Sequence, residues 1–108
     1  MTRRSRDERS GRTILVTRHA GARAWIERQG IAVDEVRDHL DVDGVEAGDR
    51  VVGTLPAHLA AEVCERGAEY VHLAIDLPPA LRGRELSAEE LDRLGARLVP
   101  LIVRRIQD

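Results

Sequence analysis

Two short stretches of this chain carry polar groups out of an apolar run, and they are where chemistry is to be sought. Thr17-Arg18-His19-Ala20-Gly21 follows the β-branched run Thr13-Ile14-Leu15-Val16. Gly53-Thr54-Leu55-Pro56-Ala57-His58 follows Arg50-Val51-Val52. Each leads into a segment of helical character, and the first N–H groups of a helix have no partner within it and attract anions. Set side by side, the two stretches offer two hydroxyls, two imidazoles and a guanidinium to one phosphate. Arg82 and Arg84, on the proline-braced stretch Asp76–Leu86, add two guanidiniums that could close over it. Asp76 stands where the preceding strand should end. The other candidates read as structural: His72 within a strand pattern, His39 near a strand end, Trp25 in an apolar helical row, and Cys64 on a buried helix face.

Composition narrows the chemistry further. All 17 basic residues are arginine, so Schiff-base and P-loop chemistry, which need a lysine amine, are excluded. The net charge is −2 and the aromatics are Trp25 and Tyr70, a poor endowment for stacking successive bases or coating a duplex. No stable DNA or RNA complex is expected. The single cysteine and the wide spacing of the four histidines give no zinc-type pattern, and no metal or other cofactor is expected. Nothing resembles a secretory signal or a membrane span, so a cytoplasmic location without membrane contact is expected.

The elements that must position these residues alternate in type. Residues 1–11 are polar, arginine-rich and aperiodic, and read as a disordered tail; residues 12–108 then form one domain. Thr13–Thr17, Arg50–Thr54 and Glu69–Ile75 read as strands, and Val33–Leu40 as a further one. Ala22, Trp25 and Ile26 share a face of a first helix; Leu55, Leu59 and Val63 share a face of a second. Ser87-Ala88-Glu89-Glu90 matches a capping box that opens a third helix, with Leu91, Leu94 and Leu98 on its buried side. Pro100 turns the expectation for Leu101–Ile106 toward a last strand. The result is an α/β, Rossmann-like, mostly parallel sheet of four to five strands with about three helices. Ligands of such sheets bind beyond the carboxyl ends of the strands, where both polar stretches fall.

The series Val16-Thr17-Arg18-His19, Gly21-Ala22, Trp25, Gly53-Thr54-Leu55-Pro56, His58-Leu59-Ala60, His72-Leu73, Leu77-Pro78 and Arg82-Gly83-Arg84-Glu85-Leu86 resembles a family of small type III CRISPR-associated accessory proteins. The resemblance runs from about Thr13 to Arg105. It implies kinship with the CRISPR-associated Rossmann fold and the activity of a stand-alone ring nuclease, a homodimer that binds cyclic tetra-adenylate across its two-fold axis. Cleavage to linear di-adenylates with 2′,3′-cyclic phosphate ends would switch off type III signalling. On that footing His19, Arg18 and His58 are the expected catalytic residues, and Thr17, Gly21, Gly53, Thr54, Leu55, Pro56, Arg82 and Arg84 the ligand-binding ones. The reaction needs no metal, since the ribose 2′-OH is the nucleophile and the protein has only to align it and stabilise the phosphorane. Two alternatives stand beside it. One is a sensor or sponge that binds the ring without cutting it. The other is a phosphatase-like enzyme, because Arg18-His19 after a strand is similar to the histidine-phosphatase motif, although Ala20 replaces its glycine and the chain is short for that fold.

Overall fold

The computed structural model describes residues 11–106. Five strands form a single sheet in the order β2-β1-β3-β4-β5. They are β1 (Thr13–Val16), β2 (Glu35–Arg37), β3 (Arg50–Gly53), β4 (Glu69–Ala74) and β5 (Arg97–Leu101). The first four run parallel, and β5 pairs antiparallel with β4. Three α-helices, α1 (Ala20–Arg28), α2 (Ala57–Glu65) and α3 (Ala88–Arg93), complete the α/β domain.

Strict alternation along the strands divides the core into two layers, as a sheet covered on both faces requires. Leu15, Val52, Val71 and Leu73 face one way and pack with Trp25 and Ile26 of α1 and Leu91 of α3. Val51 and Tyr70 face the other way and pack with Ala60 and Val63 of α2. The expected helical rows are the ones buried: Ala22, Trp25 and Ile26 in α1, and Val63 in α2 with Leu59 half-buried. Trp25 also donates its indole N–H to Asp92 at 2.9 Å, which ties α1 to α3.

The amino edge of the sheet is closed by charge pairing. Asp49 is 3% exposed and accepts from the backbone N–H of Arg12 at 3.0 Å, the Arg12 guanidinium at 2.9 Å and the Glu46 N–H at 2.9 Å. Arg12 also donates to the Gly44 carbonyl at 2.7 Å and pairs with Glu35, which Arg37 holds from its other side at 2.9 Å. Burial pushes the Asp49 carboxyl up, but these donors outweigh it and hold its pKa below the usual value.

Several boundaries differ from the sequence reading. Gly11, read as the last residue of the tail, packs closely on Gly48 within the domain; the rest of the expected tail lies outside the described residues. The second strand is only Glu35–Arg37, shorter than Val33–Leu40. The third helix stops at Arg93 and does not reach Leu98, because Gly95 takes φ +75° and its N–H turns back to the Asp92 carbonyl at 3.1 Å. Leu98 therefore meets the same core from β5. That strand begins before Pro100 and ends at Leu101, so Leu101–Ile106 is not a strand of its own; an edge position tolerates the proline. The capping box is formed as expected, with Glu90 N–H on Ser87 Oγ at 3.1 Å and Ser87 N–H on Glu90 at 2.9 Å. Cys64 is half-buried and not sealed in the core; it accepts from the Val103 N–H at 3.5 Å. Among the described residues no helix is long and apolar enough to cross a membrane.

Candidate functional site

The chain after β1 crosses to one face of the sheet as α1, and the chain after β3 crosses to the other as α2. The two loops therefore diverge between neighbouring strands at the carboxyl edge and leave a crevice, the switch point where α/β sheets hold ligands. The crevice is an open groove of 560 Å³. Val16, Thr17, Arg18 and His19 line it from β1, and Gly53, Thr54, Leu55 and Pro56 from β3. Asp38 and His39 close it from the end of β2, and Leu59, Leu73 and Ile75 form apolar parts of its wall.

Local hydrogen bonds set each wall. The His19 N–H donates to Thr17 Oγ1 at 3.1 Å, a short turn that leaves Arg18 and His19 exposed at the strand end. Thr17 N–H continues the ladder to the Arg37 carbonyl at 2.9 Å, so the ends of β1 and β2 stay together. His19 has extended backbone and precedes α1 without a side-chain cap; its Nδ1 lies 2.6 Å from Glu85 Oε1. Pro56 likewise opens α2 without a side-chain cap. Both helix starts thus keep N–H groups free of side-chain acceptors beside the groove.

On the β3 side the backbone is held from beneath. The buried Tyr70 hydroxyl accepts from the Leu55 N–H at 3.0 Å and faces the Gly53 carbonyl at 3.2 Å and His72 Nδ1 at 2.8 Å. Burial pushes the Tyr70 phenol up, so the group stays protonated and serves as both donor and acceptor. Gly53 is required where it stands: a Cβ there would lie 2.7 Å from the Val16 carbonyl oxygen. The two loops can approach only with the side chain absent.

The expected site residues divide by placement. Thr17, Arg18, His19, Gly53, Thr54, Leu55 and Pro56 come together on the groove. Thr54 presents a hydroxyl whose proton is already donated to the Leu73 carbonyl at 2.8 Å, whereas the Thr17 hydroxyl accepts from the backbone and keeps its proton for a ligand. His58 is exposed in the first turn of α2 and is not part of the groove lining. Gly21 is a packing position, since a Cβ there would meet the Leu86 carbonyl oxygen at 1.8 Å. Arg82 is exposed on the β4–α3 loop away from the groove, and Arg84 pairs with Glu90 at 2.6 Å. His72 is bound to Tyr70, as a satisfied sheet-face histidine should be.

His39 and Asp38 are the residues sequence reasoning passed over. They reach the groove because β2 is the neighbour of β1 and ends at Arg37. The strand-end rule, applied to the second strand as to the first and third, would have found them. Arg18, Asp38 and His39 make no ion pair or side-chain hydrogen bond among the described residues. That contrasts with the amino edge, where Arg12, Glu35, Arg37 and Asp49 are matched. Unmatched charge gathered in one concavity is what a ligand site presents. Among the described residues no three His, Cys, Asp or Glu side chains are grouped to hold a metal ion.

Fold and groove define a small doubly wound α/β domain with an open crevice at the β1/β3 switch point. By sequence the chain belongs to the family described as Putative CRISPR-associated protein (Cas_VVA1548), whose model matches residues 14–104. The matched span covers β1 from Ile14 on, every later strand and helix through β5, and both loops of the groove. A search of curated proteins and a search of solved structures each returned no match.

Proposed function

We propose that this protein is a ring nuclease that binds cyclic tetra-adenylate in the switch-point groove and cleaves it without a metal ion. The observation that carries the reading is the convergence of Arg18, His19, Thr17 and two uncapped helix starts on one groove of 560 Å³. The resemblance carried by the motif series from Val16 to Leu86 suggests the substrate class, and membership in a CRISPR-associated family is in keeping with it.

The chemistry is an internal transesterification. The ribose 2′-oxygen bonds to the adjacent phosphorus, the bond from phosphorus to the 5′-oxygen breaks, and the 2′ proton leaves while the 5′-oxygen gains one. The products are a 2′,3′-cyclic phosphate and a 5′-hydroxyl. Arg18, which no carboxylate pairs with among the described residues, is the group to bind the phosphate and stabilise the phosphorane. His19 is the group to move a proton, with its ring plane fixed by Glu85. His39, on the groove where His58 is not, is the second imidazole in reach. Positioning of the hydroxyl in line accounts for much of such a rate increase. The groove is open and sized for part of a four-nucleotide ring, so two copies would each hold half of it.

The test is incubation of purified protein with cyclic tetra-adenylate in EDTA, followed by chromatography and mass analysis. Linear di-adenylate with cyclic phosphate ends is the expected product. Intact ring released on denaturing a tight complex would make the protein a sponge or sensor, and intact ring with no binding would end the reading.

A further inference from the structure

The β4–α3 loop, residues 75–87, stands over a second cavity beside the groove. The loop is shaped by Pro78 and Pro79, which open a 3₁₀ turn over Pro79–Leu81, and by Gly83 at φ +81°. It is tied down at two points, Glu85 to His19 at 2.6 Å and Arg84 to Glu90 at 2.6 Å. Beneath it lies a cavity of 220 Å³ walled by Ile75, Leu77, Leu81, Leu86 and Leu91. Leu91 belongs to the core and Ile75 and Leu86 pack against it, but Ile75, Leu77, Leu81 and Leu86 are only half-buried, so apolar surface remains open to the cavity. His19 and Arg84 supply the polar groups of its lining.

The two cavities adjoin, since His19 and Ile75 are walls of both. A molecule with its phosphate at Arg18 thus has an apolar chamber one side chain away. We propose that this chamber is a nucleobase pocket, which takes the purine adjoining the phosphate held in the groove; the proposal rests on the nucleotide reading of that groove. The match is one of shape and chemistry. A purine is flat and largely apolar across its faces, as are the walls here. A leucine-lined cavity of about 150 Å³ stays dry and admits a benzene ring. The larger 220 Å³ leaves room for a second fused ring, which a pyrimidine would underfill. His19, fixed by Glu85, stands between base and phosphate and positions one against the other. Binding energy gained at the base would then be used to align the reacting ribose, which is how remote contacts raise a rate.

The experiment follows the methyl resonances of Ile75, Leu77, Leu81 and Leu86 while adenosine 5′-monophosphate, uridine 5′-monophosphate or ribose 5-phosphate is added. The adenine nucleotide is expected to shift them and ribose 5-phosphate to leave them in place, with uridine 5′-monophosphate binding about tenfold more weakly. In Leu81→Trp, which fills the chamber, the shifts should disappear while the Val51 and Val52 methyls stay unchanged as a report on folding. Methyls that ignore the adenine nucleotide, or respond equally to all three probes, would overturn the proposal. Cyclic tetra-adenylate separates the two readings. If it is cleaved and Leu81→Trp cleaves it with an unchanged KM, the base pocket fails and the ring-nuclease reading stands. If the ring is neither bound nor cut but the adenine nucleotide shifts the methyls, the base pocket stands alone.

Discussion

Arg18 and Asp49 show how charged side chains are used in opposite ways at the two ends of one sheet. Arg18 is exposed and has no partner among the described residues, so removing it leaves no group orphaned. Arg18→Ala is therefore expected to leave the thermal midpoint unchanged while weakening ligand. A hydrogen bond to a charged group is worth about 1.5–3 kcal/mol, so the loss in kcat/KM on cyclic tetra-adenylate should be roughly ten- to a hundredfold. Equal activity in the variant would remove Arg18 from the site. Asp49 is buried beneath Arg12, and truncating it strands two backbone N–H groups and takes one of the guanidinium's carboxylate partners, leaving it Glu35 and the Gly44 carbonyl. Asp49→Ala should cost about 2 kcal/mol or more in urea unfolding. The same carboxyl gives a pH dependence. Its folded pKa lies below the unfolded one, so the unfolded chain takes up the proton first. Its stabilisation is whole above the ordinary aspartate value of about 3.9 and is lost as pH falls below it. Unfolding midpoints of parent and Asp49→Ala should converge in that acid range, and a gap that persists to the lowest pH would refute the assignment.

At the scale of elements, the β3–α2 loop depends on one hydroxyl. Tyr70 Oη accepts from Leu55 N–H and bonds His72, so the phenol fixes a wall of the groove from the strand beneath it. Tyr70→Phe keeps the ring in the core but leaves that N–H unsatisfied, at a cost of about 1–3 kcal/mol. Faster hydrogen exchange at Leu55, with a raised KM for the ring, is the expected result. Unchanged exchange at Leu55 would mean that the loop holds its form without the phenol. The sequence could show Tyr70 as part of an alternating strand, yet not that its hydroxyl spans to the next strand's loop. That limit recurs. β1, β3, β4, the capping box and the rows of α1 were legible because periodicity and caps are local. The end of α3 was not, because Leu91, Leu94 and Leu98 keep helical spacing and only Gly95 interrupts it. His39 was set aside as structural for a different reason: the sequence reading ran the second strand on to Leu40, past His39, whereas the strand ends at Arg37 and leaves His39 beyond its carboxyl end. His58 marks a further limit: a polar residue just inside a helix looks the same in sequence whether it faces a cleft or, as here, water outside the groove lining.

For the whole molecule, the decisive relation is between the groove and the size of the proposed ligand. The groove follows one edge of one sheet and is open along its length, and its 560 Å³ suits a segment of a ring of four nucleotides, not the whole of it. A symmetric ring offers identical phosphates to two identical grooves, and a two-fold pair of copies is the closed arrangement that uses both. Catalysis then requires association, either before ligand arrives or because of it. Cleavage per protein molecule should accordingly rise with protein concentration and level off once the pair is formed, and light scattering should report two copies per ring at the plateau. Mixing parent with excess Arg18→Ala offers an independent check on the same geometry. If both grooves grip one ring, the impaired partner should depress activity beyond simple dilution, because mixed pairs hold the ring firmly from one side only. Specific activity that stays flat from high dilution upward, with one copy per ring by scattering and a mixture that behaves as the sum of its parts, would show that a single groove suffices.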